Sequence, residues 1–266
     1  MFAYRSTTIV GLFLFVVIPF SLSYAENQKR EADSKISEQT LTQEAQDLLD
    51  QWHGRRQILD DAAQKLSLAL KKNPNYAPAH MQVGRLHVMG GYYHSSYFEP
   101  SSLQAAERST LKAIELDPKF ADAYVLLGHI YINMKRLPDA KNALAKAKGL
   151  GATTAWLAIN WADIYEREGK IDDAALQYMK VIESGTKEKK ALSVAYDELR
   201  LFYIRKGNLA KAEELYQQHI AFDPKNAWIR GNYAENILFH IGDFDKSIEK
   251  AREALASWIT ATRGKP

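Results

Sequence analysis

The chain contains no cysteine in its 266 residues. That excludes a disulfide framework and a lipid anchor attached through cysteine, so packing alone must hold the fold. Charge of one sign is also scarce. Lys and Arg number 35 against 32 Asp and Glu, a formal net charge of +3. A protein that grips nucleic acid needs a concentrated basic footprint, so no nucleic-acid partner is expected. Lys187 to Lys190 includes Glu188 and reads as a solvated loop, not a basic patch. Catalytic signatures are missing too. Neither GxSxG nor HExxH occurs. Gly169-Lys170 lacks the upstream Gly and the following Ser/Thr of a phosphate loop. No enzyme activity and no cofactor is expected.

Two clusters imitate sites. Asp60-Asp61 and Asp172-Asp173 look like paired carboxylates. Each precedes an expected helix, where acids complement the macrodipole. His80, His87 and His94 recur at intervals of seven. Seven helical residues rise about 10.5 Å, whereas each nitrogen on a shared zinc sits about 2.0–2.1 Å from the metal. These histidines are read as packing residues, and no metal is expected.

Long apolar runs are absent except at the start. Arg5 precedes Ile9 to Phe20, and Ser23-Tyr24-Ala25 follows. A basic start, an h-region and a small-x-small site form a secretory signal, so residues 1–25 are expected to be removed before Glu26. An uncleaved anchor facing the periplasm is the competing reading, and membrane contact is expected only in that case. The run falls short of the roughly 20 residues a spanning helix needs. Residues 26–41 are polar and read as a linker, whose C-terminal part can instead extend the first helix.

What is present is a period. In Ala121 to Gly149, Tyr124, Leu127, Gly128 and Tyr131 share one helical face, and Ala140, Leu144 and Ala147 share another. Gly128 costs about 1 kcal/mol in a helix interior, so a second backbone should approach it, with Ala140 as the matching small residue. Pro138 suits a first helical turn, and Gly149 a left-handed cap. The motif Tyr124-x-x-Leu127-Gly128-x-x-Tyr131 with Ala140-x-x-x-Leu144-x-x-Ala147 resembles a tetratricopeptide repeat, two antiparallel helices in about 34 residues.

The remaining chain repeats it. Ala106, Ala140 and Ala174 are each 34 apart. Ala174 to Ala212 is 38, which suggests four extra residues in the Gly185–Lys190 loop, and Ala62 to Ala106 is 44, which gives the second unit about ten extra. Repeats are expected at about 42–75, 77–118, 121–151, 153–184, 190–224 and 227–259, with 260–266 as a tail. Tyr131, Tyr165, Tyr178, Tyr203 and Tyr216 recur with the period and are expected in the core. The resemblance implies an all-α, right-handed superhelix of about six helix-turn-helix units.

It also implies a concave face built by the first helices. The inward places carried over from the family are Arg85, His129, Asp163 and Leu201 in one row, and Met81, Val125, Ile159 and Asp197 in a second. Trp156, Ile132, Asn133, Arg167 and Arg205 flank them. Met81, Val125 and Leu126 stand where a Lys/Asn clamp for a terminal carboxylate would need polar side chains, so that mode is not expected. A second candidate is the insertion from Gly90 to Pro100, with Tyr92, Tyr93, His94, Tyr97 and Phe98. A linker would lack aromatics, so these rings either pack back on the solenoid or meet a partner. Ser101-x-x-Gln104 reads as a capping box for the next helix. The expected function is a non-enzymatic periplasmic scaffold for a protein or peptide, in envelope or pilus assembly or secretion. The alternative is recognition of a glycan or cell-wall polymer through Trp156, Tyr92 and Tyr93.

Overall fold

A computed structural model describes residues 36–94, 97–224, 226–235 and 242–263. The expected signal segment and the polar stretch up to residue 35 lie outside the described residues. Helices α1 (Glu38–Asp50) and α2 (Arg56–Lys72) form the first pair, and α3 (Ala77–Gly90) and α4 (Pro100–Leu116) the second. Then follow α5 (Ala121–Asn133) with α6 (Leu137–Gly149), α7 (Ala155–Arg167) with α8 (Ile171–Glu183), and α9 (Lys189–Arg205) with α10 (Leu209–Phe222). The sixth pair is α11 (Ala227–Tyr233) with α12 (Phe244–Arg263). Each helix packs on its mate and on the next pair, as the expected solenoid requires. The last four residues of the expected linker, Glu38 to Leu41, are helical, and Ser37 caps that helix by accepting from the Thr40 N–H.

Small residues set the distance between mates. Ala62, Ala106, Ala140 and Ala212 are fully buried on the second helices. Gly128 meets Leu144 rather than Ala140: a Cβ there would lie 2.4 Å from Leu144 Cδ2. The close approach is real, but its partner is a branched side chain one turn further along α6. Gly149 ends α6 without a left-handed conformation, which falls instead to Gly151 at φ 82°. In the tight turns, Gly54, Gly169, Gly207 and Gly242 adopt positive φ, and Lys135 takes the equivalent place between α5 and α6 at φ 61°. Tyr131, Tyr178 and Tyr216 are core residues, whereas Tyr165 and Tyr203 are half-buried at pair edges. Arg136 lies 4.2 Å over the Tyr131 ring and pairs with Glu107 and Asp139, both at 2.7 Å.

Two departures from the period take forms that spacing did not reveal. The connection from α8 to α9 is no longer than that from α6 to α7. The four extra residues are instead an added N-terminal turn of α9, which has 17 residues against 13 in α7. The second unit's insertion is a small antiparallel hairpin, β1 (Tyr92–His94) and β2 (Tyr97–Phe98). After it, α4 is capped by Glu99, whose carboxylate accepts from the Ser102 N–H at 2.9 Å. The expected Ser101 capping box is therefore displaced by two residues, because Pro100 already occupies the first turn.

Candidate functional site

The first helices α1, α3, α5, α7 and α9 pack side by side along the concave face. The added turn of α9 carries Lys190 across to the start of the solenoid. Its ammonium donates to the carbonyls of Leu49 and Trp52, each at 3.0 Å. Those carbonyls belong to the C-terminal end of α1, where carbonyls lack helical partners and the dipole favours a cation. The five helices thus close into a ring. Burial pushes the Lys190 pKa below its ordinary value, Arg85 adds to this, and Asp50 opposes it.

Along this face lies a half-open cavity of about 1000 Å³. Met81, Val88, Met89, Val125, Leu126 and Trp156 supply an apolar wall. Arg85 pairs with Asp50 at 2.5 Å on one side. Opposite, Glu188 caps α7 by accepting from the Ala155 N–H at 2.9 Å and the Thr154 hydroxyl at 2.9 Å. Burial and the nearby Glu188 raise the Asp122 carboxyl above its usual range. His129 is held through Asn160 (3.1 Å) and Asn133 (3.3 Å), and burial lowers its pKa. Gln82, 2% exposed, donates to Gln46 at 3.1 Å beside the cavity.

The structure sorts the expected groove residues into three sets. Met81, Arg85, Val125, His129 and Trp156 line the cavity. Ile132 does not belong to the concave face: it is fully buried between α5 and its neighbours, because it sits one position beyond Tyr131 on the core side. Ile159 is buried at 6% and packs in the core of the fourth and fifth units, and Asn133 acts behind His129. Further along, Asp163 pairs with Arg167 at 2.6 Å, Asp197 with Arg200 at 2.8 Å, and Arg205 donates to the Leu201 carbonyl at 3.3 Å. None of these lines the cavity, and the exposed Leu201 lies outside it as well. Sequence reasoning missed Lys190, Asp50, Gln82 and Asn160. The 38-residue spacing marked the α9 turn, but not where it reaches.

The hairpin flanks this site. Phe98 packs with Leu126 and Met134 over Val88, Ala106 and Ile130. Its ring centroid is 6.3 Å from that of His129 and 5.4 Å from that of Tyr92. Tyr92 remains 46% exposed. One aromatic therefore packs back and one faces solvent. The side chains of Tyr93, His94 and Tyr97 lie outside the described residues. Among the described residues no group of His, Asp and Glu could hold a metal ion.

Models of the tetratricopeptide repeat match residues 110–142 and 159–227. Over those residues the chain therefore carries tetratricopeptide repeats, and the described helix pairs form an α-solenoid. Anaphase-promoting complex subunit 3 of Schizosaccharomyces pombe is 26% identical over 161 residues, covering 58% of this chain and 23% of that protein. The chain thus spans less than a quarter of that relative. A thermophilic TPR protein of Thermus thermophilus superposes with a TM-score of 0.60 at 18% identity, covering 76% of this chain and 100% of that one. For Pseudomonas aeruginosa pilF the values are 0.55, 15%, 86% and 93%. At such identities the likeness shows the fold.

Proposed function

We propose that this protein is a non-enzymatic scaffold that acts in the periplasm and holds a protein or peptide partner during envelope or pilus assembly or secretion. The observation that carries the reading is the cavity of about 1000 Å³ along the concave face of the first helices. Its wall is apolar and its rim bears charges of both signs. A peptide supplies apolar side chains together with polar and charged groups. Lys190 bridges one end of the cavity, which favours a chain end, a loop or a short extended segment as occupant. Export rests on the residue pattern of 1–25. Among the described residues no helix is long and apolar enough to cross a membrane.

The test places a photo-activated cross-linker at Met81 in the cavity and, as control, at the exposed Leu176 on α8, in intact cells. Capture of one protein from Met81 and not from Leu176, identified by mass spectrometry, is the expected result. Equal capture from both, or from neither, would remove the cavity as the binding site. Intact mass of the exported chain is expected to begin at Glu26. A mass that retains residues 1–25 would favour the anchored form.

A further inference from the structure

Helix α12, the last of the described helices, carries an apolar stripe on its outer face. Ala254 is buried toward the solenoid, whereas Phe244, Ile248 and Leu255 are 55%, 51% and 57% exposed. Together with Ile259 they fall at i, i+4, i+11 and i+15, one stripe along the helix. Asp245, Glu249 and Arg252 flank the stripe on one side, all exposed. Glu249 lies 3.6 Å from Lys250, and Arg252 makes no ion pair among the described residues.

The stripe is symmetric. Exchange about a point between Ala251 and Arg252 maps Ile248 onto Leu255 and Phe244 onto Ile259. The same exchange brings Glu249 beside Arg252. We propose that the protein self-associates through α12, with two copies antiparallel about a two-fold axis at this point. In that arrangement Ile248 of one copy meets Leu255 of the other. Glu249 of each copy then faces Arg252 of the other, in two reciprocal ion pairs along one flank. An isologous contact requires this self-complementarity. A single pair of helices in contact over about 22 Å buries less than the roughly 1,600 Å² of a standard interface. The dimer is therefore reversible and concentration-dependent. It is separate from the cavity, so loss of partner binding leaves it unaffected.

Sedimentation velocity of the full chain over roughly 1–100 µM, the range where a small interface equilibrates, reads the result. A shift from monomer to dimer is expected, and Ile248→Glu should abolish it. Glu249→Arg and Arg252→Glu should each weaken self-association by about tenfold or more, since each places like charges opposite each other. Mixing those two variants in equal amounts should restore the dimer, because every reversed side chain then faces an opposite charge. All three positions are exposed, and far-UV circular dichroism checks that the variants fold. A monomer across the whole range, a dimer indifferent to Ile248→Glu, or a mixture that stays monomeric would overturn the proposal.

Discussion

Gly128→Ala sets two effects of known size against each other. Alanine in place of glycine in a helix interior stabilises by about 1 kcal/mol. In this chain the added Cβ would lie 2.4 Å from Leu144 Cδ2 and 2.7 Å from Leu144 Cγ, separations that require movement. Leu144 is fully buried among Leu127, Tyr131, Ala140 and Ile164 and has little room to turn. Overpacking a filled core costs about 1–3 kcal/mol. The clash offsets or outweighs the propensity gain, and the net expectation is a loss of about 0–2 kcal/mol. Leu144→Ala alone should cost about 2–5 kcal/mol. Both changes together should cost less than their sum by about 1–2 kcal/mol, since the new methyl occupies part of the vacated volume. Urea melts followed by circular dichroism give the four corners of the cycle. Hydrogen exchange in α5 and α6 confirms that the loss is local, because end units of a solenoid can open separately. A stabilised Gly128→Ala, or strict additivity, would refute the packing argument.

Lys190→Met keeps the stem and removes the donors to Leu49 and Trp52. A loss of about 1–2 kcal/mol is expected, two charge-assisted bonds less the burial cost recovered, with faster hydrogen exchange at the C-terminus of α1. Unchanged exchange there would mean the ring is not closed by this residue. Lys135→Gly relieves a left-handed residue at φ 61° and should stabilise by about 1 kcal/mol, read as a higher melting temperature. Glu198 has a carboxyl raised above its ordinary value by burial and then by Glu166. A carboxyl raised by folding holds its proton more tightly in the folded state, so its stabilising contribution is complete below the unfolded value and is lost as pH rises through the folded one. Glu198→Gln should therefore be more stable than the wild type at pH 7, and the gap should shrink toward acid. A constant gap from pH 7 down to 4 would count against the shift.

Much of the fold was legible because a solenoid writes its contacts locally. The 34-residue spacing of Ala106, Ala140 and Ala174 reports the helix pair directly, and all three are buried against their mates. Carry-over of the tetratricopeptide family's inward and flanking places also named Met81, Arg85, Val125, His129 and Trp156, all five of which line the cavity. It failed at Ile132, where one residue of register decides between groove and core. It also failed wherever the curvature of the whole array matters. The bond from Lys190 to Leu49 depends on the rotation accumulated across three intervening units, which no local pattern encodes. The partner of Gly128 was missed for a smaller reason. Spacing shows that a helix approaches, but whether Ala140 or Leu144 meets the glycine depends on the angle at which the two helices cross.

The places where the chain breaks its own period turn out to share one location. A strict repeat would connect α3 to α4 with a tight turn and would begin α9 one turn later. The extra residues between α3 and α4 form the hairpin whose Phe98 ring packs against the wall that holds His129. The extra turn of α9 carries Lys190 to the opposite rim. These two departures lie about a hundred residues apart in sequence, yet one braces the cavity and the other bridges one end of it. A stack of repeats needs neither to be stable, since each unit already buries its face on its neighbours. In a repeat protein, residues beyond the period are free of the packing constraint that fixes the rest. Their convergence on a single cavity is therefore a stronger pointer to the site than the identity of any one residue within it.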